Sequence, residues 1–73
     1  MPKWTIEGTD QHFGCFGKCW TTAAKTALRT RKDVIVRFHG QKEPGNSNPA
    51  KSDFKISPNG VKDFSIDPTW KGR

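Results

Sequence analysis

The chain has no tyrosine, one methionine and only two cysteines in its 73 residues. Two cysteines are too few for a disulfide scaffold of the kind that staples small secreted domains. Cys15 and Cys19 lie four positions apart, and in a reducing compartment they read as free, packed thiols. A bridge between them would require the backbone to bring the two Cα atoms within about 7 Å. No apolar run approaches the roughly 18 residues of a membrane-spanning helix, so no membrane association is expected. Met1-Pro2-Lys3-Trp4 has no hydrophobic stretch of the secretory kind. Taken together, these absences make the cytoplasm the expected setting.

Catalytic signatures are also missing. The serines, Ser47, Ser52, Ser57 and Ser65, have no histidine near them in sequence and no nucleophile motif around them. Gly14-Cys15-Phe16-Gly17-Lys18 holds glycine and lysine without the spacing or the following Ser/Thr of a phosphate loop. Asp63 and Asp67 form a local pair of carboxylates, and turn or strand-end roles explain both. An enzyme is therefore not expected, nor is a cofactor or a small-molecule substrate, since a domain this small seldom houses a buried pocket.

The one ligand set worth weighing is His12, Cys15, Cys19 and His39, which has the Cys₂His₂ composition of a structural zinc site. Its spacing matches no common zinc arrangement. If residues 12–16 were a strand, His12 and Cys15 would also point to opposite faces. Structural cysteines and exposed histidines are the expectation, with no metal.

What the chain does have is charge in one place. Thirteen basic and seven acidic residues leave a net charge of +6. Seven of the basic residues, Lys18, Lys25, Arg29, Arg31, Lys32, Arg37 and Lys42, fall between positions 18 and 42, where Asp33 is the only acid. The other six basic and six acidic residues cancel. The whole excess belongs to one segment, whose field would steer an anionic partner. The bland alternative is a solvated face that keeps a small protein dispersed.

The chain also has aromatics: five phenylalanines and three tryptophans. Each such ring can bury roughly 150–250 Å², so a few of them offset a modest hydrophobic content. The core candidates are Trp4, Ile6, Phe13, Phe16, Trp20, Leu28, Val34, Ile35, Val36, Phe38, Phe54, Ile56, Phe64, Ile66 and Trp70. A domain this small sits at the low end of stability, on the order of 3–5 kcal/mol.

Trp4-Thr5-Ile6-Glu7 alternates as a half-buried strand, with a turn at 8–11 and a second strand over 12–16. Thr21 or Thr22 is the expected N-cap of a short helix of about three turns over Ala23–Arg29. Its apolar face would hold Trp20, Ala24, Ala27 and Leu28, and Lys25, Arg29 and Lys32 would line another face. Val34–Phe38 is the strongest strand, rich in β-branched residues. Residues 41–51, with two prolines, a glycine and two asparagines, predict a flexible loop. Phe54-Lys55-Ile56, a Ser57-Pro58-Asn59-Gly60 turn and Val61–Ile66 predict a hairpin, and 69–73 a tail.

This order, β-β-α-β-β-β, predicts a single α+β domain over residues 1–73. It would be a two-layer fold, with one short helix on an antiparallel or mixed sheet of four to five strands. The leading functional expectation is nucleic-acid binding, DNA or RNA, led by backbone phosphates on Lys18, Lys25, Arg29, Arg31, Lys32, Arg37 and Lys42. No helix-turn-helix or base-reading arginine cluster is present, so sequence specificity would be weak. Phe13, Phe16 and Phe38 could stack on bases only if they face solvent, and burial is the simpler expectation. The second expectation is an adaptor or inhibitor docking on an acidic protein surface. The element order over residues 4–39 resembles that of several small phage proteins that bind and block host enzymes, including inhibitors of host RNA polymerase and anti-CRISPR proteins. What that resemblance implies is a protein partner.

Overall fold

The computed structural model describes residues 3–71, so the end of the expected tail lies outside the described residues. Five strands and one long helix are present: β1 (Trp4–Ile6), β2 (His12–Phe13), α1 (Phe16–Thr30), β3 (Val34–Phe38), β4 (Phe54–Ile56) and β5 (Lys62–Asp63), with a 3₁₀ turn at Pro49–Lys51 before β4. The strands form one sheet in the order β2-β1-β3-β4-β5, antiparallel at every pairing. The α+β reading holds, and the sheet is antiparallel throughout.

Alternation along the strands decides which face is covered. In β3, Val34, Val36 and Phe38 are buried, while Ile35 and Arg37 are only half-buried. Trp4 and Ile6 of β1, and Phe54 and Ile56 of β4, fall on the same side as the buried β3 residues. That face meets α1 through Cys19, Ala23 and Ala27, all fully buried. Small side chains on the contacting stripe allow the helix to sit close to the sheet, and the large rings of the strands fill the layer between them. Trp4 packs on Phe16 and Phe38 at centroid distances of 6.0 and 5.3 Å, and Phe54 on Phe16 and Phe64 at 6.0 and 5.4 Å.

The helix departs from expectation in extent and in facing. It starts at Phe16, with Cys15 as N-cap in place of the expected Thr21 or Thr22. The expected β2 of 12–16 shrinks to His12–Phe13 because Phe16 is drawn into the core at the start of α1. Thr21 does not cap. Its hydroxyl donates back to the Gly17 carbonyl at 2.8 Å, as Thr26 does to Thr22 and Thr30 to Thr26. A threonine inside a helix satisfies itself in this way without ending it. The buried stripe is Cys19, Ala23 and Ala27, so of the expected face only Ala27 is buried, and Trp20, Ala24 and Leu28 are rotated toward the rim. Leu28 is 67% exposed and Trp20 39%.

The expected hairpin is present, closed by Ser57 and Gly60, but β5 pairs for only two residues. Trp70 then stacks on Phe64 at 4.9 Å. Asn46 bridges to it: the Asn46 amide donates to the Thr69 carbonyl and the Lys71 amide to the Asn46 carbonyl. Residues 46–52 and the last described segment thus hold one another.

Just past β3, a Cβ on Gly40 would overlap Cζ of the buried Phe38 ring. Gly40→Ala must push that ring into a packed layer, so a loss of about 1–3 kcal/mol in denaturant unfolding is expected. A smaller loss would mean that Phe38 has room to move.

Candidate nucleic-acid interface

At 100° per residue, Lys18, Lys25 and Arg29 fall within a sector of about 40° and span about 16 Å of helix axis. That sector lies opposite the buried Cys19-Ala23-Ala27 stripe, and all three side chains are exposed. Thr21 and Thr22 lie between them, and α1 contains no acidic residue. Arg31 and Lys32, also exposed, follow at the C-terminal end. Arg31 is the C-cap and takes the left-handed conformation (φ 59°), with its amide donating to the Ala27 carbonyl. Among the described residues none of these five cations has an ion-pair partner. Asp33, the one acid in the segment, is turned to Lys55 at 3.9 Å.

Arg37 and Lys42 stand elsewhere. Arg37 is on the sheet face that α1 leaves uncovered, between Glu7 at 3.2 Å and Asp53 at 3.3 Å. Lys42 is mostly withdrawn from solvent and donates to Asp53 at 2.8 Å, with Asp67 at 3.5 Å. The structure therefore leaves Lys18, Lys25, Arg29, Arg31 and Lys32 exposed on and just after α1 and puts the other two to structural use.

That structural use was not legible in the sequence. Asp53 and Asp67 are both buried. Asp53 accepts from the Phe38 amide at 2.7 Å, its own amide donates to Asp67 at 2.7 Å, and Asp67 also accepts from the amide and hydroxyl of Thr69. Burial pushes the Asp67 carboxyl up, but Thr69, the Asp53 amide and the Lys42 ammonium outweigh it and hold it below its ordinary value. Asx-type chemistry at Asp67-Pro68-Thr69 was the only available signal, and it indicates a turn rather than a buried anion.

The four potential zinc ligands are divided between the faces of the sheet. Cys19 is buried under α1. His39 follows the alternation of β3 onto the uncovered face, where its Nε2 lies 2.7 Å from the Thr5 hydroxyl. His12 is paired with Thr5 on that same face. Among the described residues no group of three or more His, Cys, Asp or Glu side chains is placed to hold a metal ion. The thiols differ sharply. The Lys18 and Gly17 amides at the helix start lower the pKa of exposed Cys15, whereas burial pushes Cys19 up to about 11. Phe38, offered as a base-stacking ring, is buried, and Phe13 and Phe16 pack against the core.

No family model, curated protein or solved structure matches the chain. No helix among the described residues is long and apolar enough to cross a membrane.

Two measurements check this geometry. The lowered Asp67 pKa means that the fold favours the ionised carboxylate. Its contribution is complete above the ordinary value of 3.8 and drains as pH falls through the lower, folded value. Asp67→Asn should cost about 2–3 kcal/mol near neutral pH, less than a fully buried pair because Lys42 retains some solvent, and should flatten the acid limb of stability below about pH 4. An unchanged acid limb would remove Asp67 from that role. Separately, a thiol reagent at pH 8 should label Cys15 quickly and Cys19 only after unfolding, read by peptide mass mapping. Equal labelling in the native state would contradict the placement of Cys19.

Proposed function

We propose that the protein is a nucleic-acid-binding module, not an enzyme, and that it grips backbone phosphates through the outward face of α1 and its C-terminal cap. The observation that carries this reading is the set of unpaired, exposed cations Lys18, Lys25, Arg29, Arg31 and Lys32 on a helix without an acidic residue. The same chain pairs Arg37, Lys42 and Lys55 with carboxylates elsewhere. The core rings are turned inward, so base stacking adds little and sequence preference is weak. Two free thiols suit a reducing, cytoplasmic setting.

Arg31 strengthens the reading. Left-handed backbone costs a residue with a Cβ roughly 1–2 kcal/mol, and glycine is the usual occupant of such a helix end. An arginine kept there despite that cost supplies a cation at the end of the basic face.

Fluorescence anisotropy with a labelled oligonucleotide tests this. Engaging about four phosphates gives a log–log salt slope near −3.6, a roughly hundredfold loss of affinity between 50 and 200 mM salt. The Lys18→Gln, Lys25→Gln, Arg29→Gln triple variant should fold normally and lose most of that slope. Arg31→Gly should raise the thermal midpoint while weakening binding. No binding at low salt, for either single or double strands, would overturn the proposal.

A further inference from the structure

We propose that a second flank of α1, formed by Trp20, Ala24 and Leu28, docks an acidic amphipathic segment of a partner protein. These residues lie at i, i+4 and i+8, a continuous stripe about 12 Å long. Leu28 is 67% exposed and Trp20 39%. The only other large apolar side chain so exposed among the described residues is Val61, in the turn before β5. The stripe is thus an apolar surface that the fold leaves open, distinct from the polar sector of Lys18, Thr21, Thr22, Lys25 and Arg29.

Its surroundings specify the occupant by charge. The Lys62 ammonium sits 4.0 Å from the centre of the Trp20 ring, at one end of the stripe. Lys25 is one turn from Leu28, and Arg31 and Lys32 follow at its other end. Among the described residues none of these cations is neutralised by an acid. A second copy of the chain, itself +6, would bring like charges together around the stripe and is disfavoured. A nucleic acid fits less well, because Leu28 offers no stacking surface and Lys62 covers a face of Trp20. An acidic amphipathic helix satisfies both features. Two apolar anchors about two turns apart would bury against Leu28 and the exposed part of Trp20, with carboxylates meeting Lys62, Lys25 and Arg31. Trp20 is suited to this role because Phe16, 6.0 Å away, backs its ring and holds it in place.

The test uses the whole chain and a labelled probe peptide of about 18 residues, five helical turns, with leucines on one face and glutamates elsewhere. A second peptide replaces every leucine by serine at equal charge, and a thymidine oligonucleotide serves as competitor. The leucine peptide should bind at least tenfold tighter than the serine peptide and shift tryptophan emission to the blue. Leu28→Ser, neutral and exposed and so harmless to folding, should erase that difference while leaving oligonucleotide affinity unchanged. Lys62→Gln should weaken the peptide by a smaller factor. Equal binding of the two peptides, indifference to Leu28→Ser, or loss of oligonucleotide binding in the same variant would each overturn the proposal. The last outcome would assign the flank to the nucleic-acid surface instead.

Discussion

Two carboxylates buried beside one lysine tie the second half of the chain to the first. Asp53 reaches across to the Phe38 amide at the end of β3, Asp67 receives the Asp53 amide, and Lys42 lies between the two acids. The long connection from β3 to β4 has no large apolar side chain of its own to hold it. Buried anions are costly unless hydrogen bonds and an opposite charge meet them. Here backbone amides, a threonine hydroxyl and Lys42 do so. Because the backbone amides of Phe38, Asp53 and Thr69 are among the donors to these two carboxylates, a change in either acid disturbs main chain in more than one segment.

This arrangement also explains where the protein's net charge appears. The uncovered sheet face carries Glu7, Arg37, Asp53, Lys55 and Asp33 in mutual ion pairs, so its cations are largely spent. The covered face is occupied by Cys19, Ala23 and Ala27 against large rings. The outer side of α1 and its C-terminal end are left to carry the excess. The two layers separate charge as well as polarity: one side is internally neutralised and the other is not.

Much of the fold was legible because strands announce themselves by alternation. β1, β3, β4 and the Ser57–Gly60 turn sit where the pattern of apolar and turn residues puts them. The helix was half legible. Its body was evident from Ala23 to Arg29, but its start was hidden by Gly14 and Gly17, which argue against helix, and by Thr21 and Thr22, which mimic caps. Tertiary burial of Phe16 and Cys19 outweighs both signals. That error of extent also misassigned the inner face, since Trp20 and Leu28 are more hydrophobic than the alanines that are actually buried. Of the seven basic residues, Lys25, Arg29 and Lys32 were grouped by helical spacing, whereas Lys18 joins them only because α1 starts at Phe16. Arg37 and Lys42 could not be separated from them, because their partners Glu7, Asp53 and Asp67 are distant in sequence.

The solubility reading of the basic face meets a physical difficulty. A surface needed only for dispersal gains from interspersed signs, since Lys25 and Arg29 at i and i+4 repel by a few tenths of a kcal/mol and an acid at either position would reverse that sign. In a domain with a margin on the order of 3–5 kcal/mol, such increments matter. None of the seven acids of the chain falls on α1. The chain also keeps Arg31 in a backbone conformation that glycine would adopt at lower cost. Several small destabilising choices therefore fall on one helix face, and all of them preserve positive charge. A balanced scaffold carrying one unbalanced face is the feature on which the proposed recognition of an anion rests.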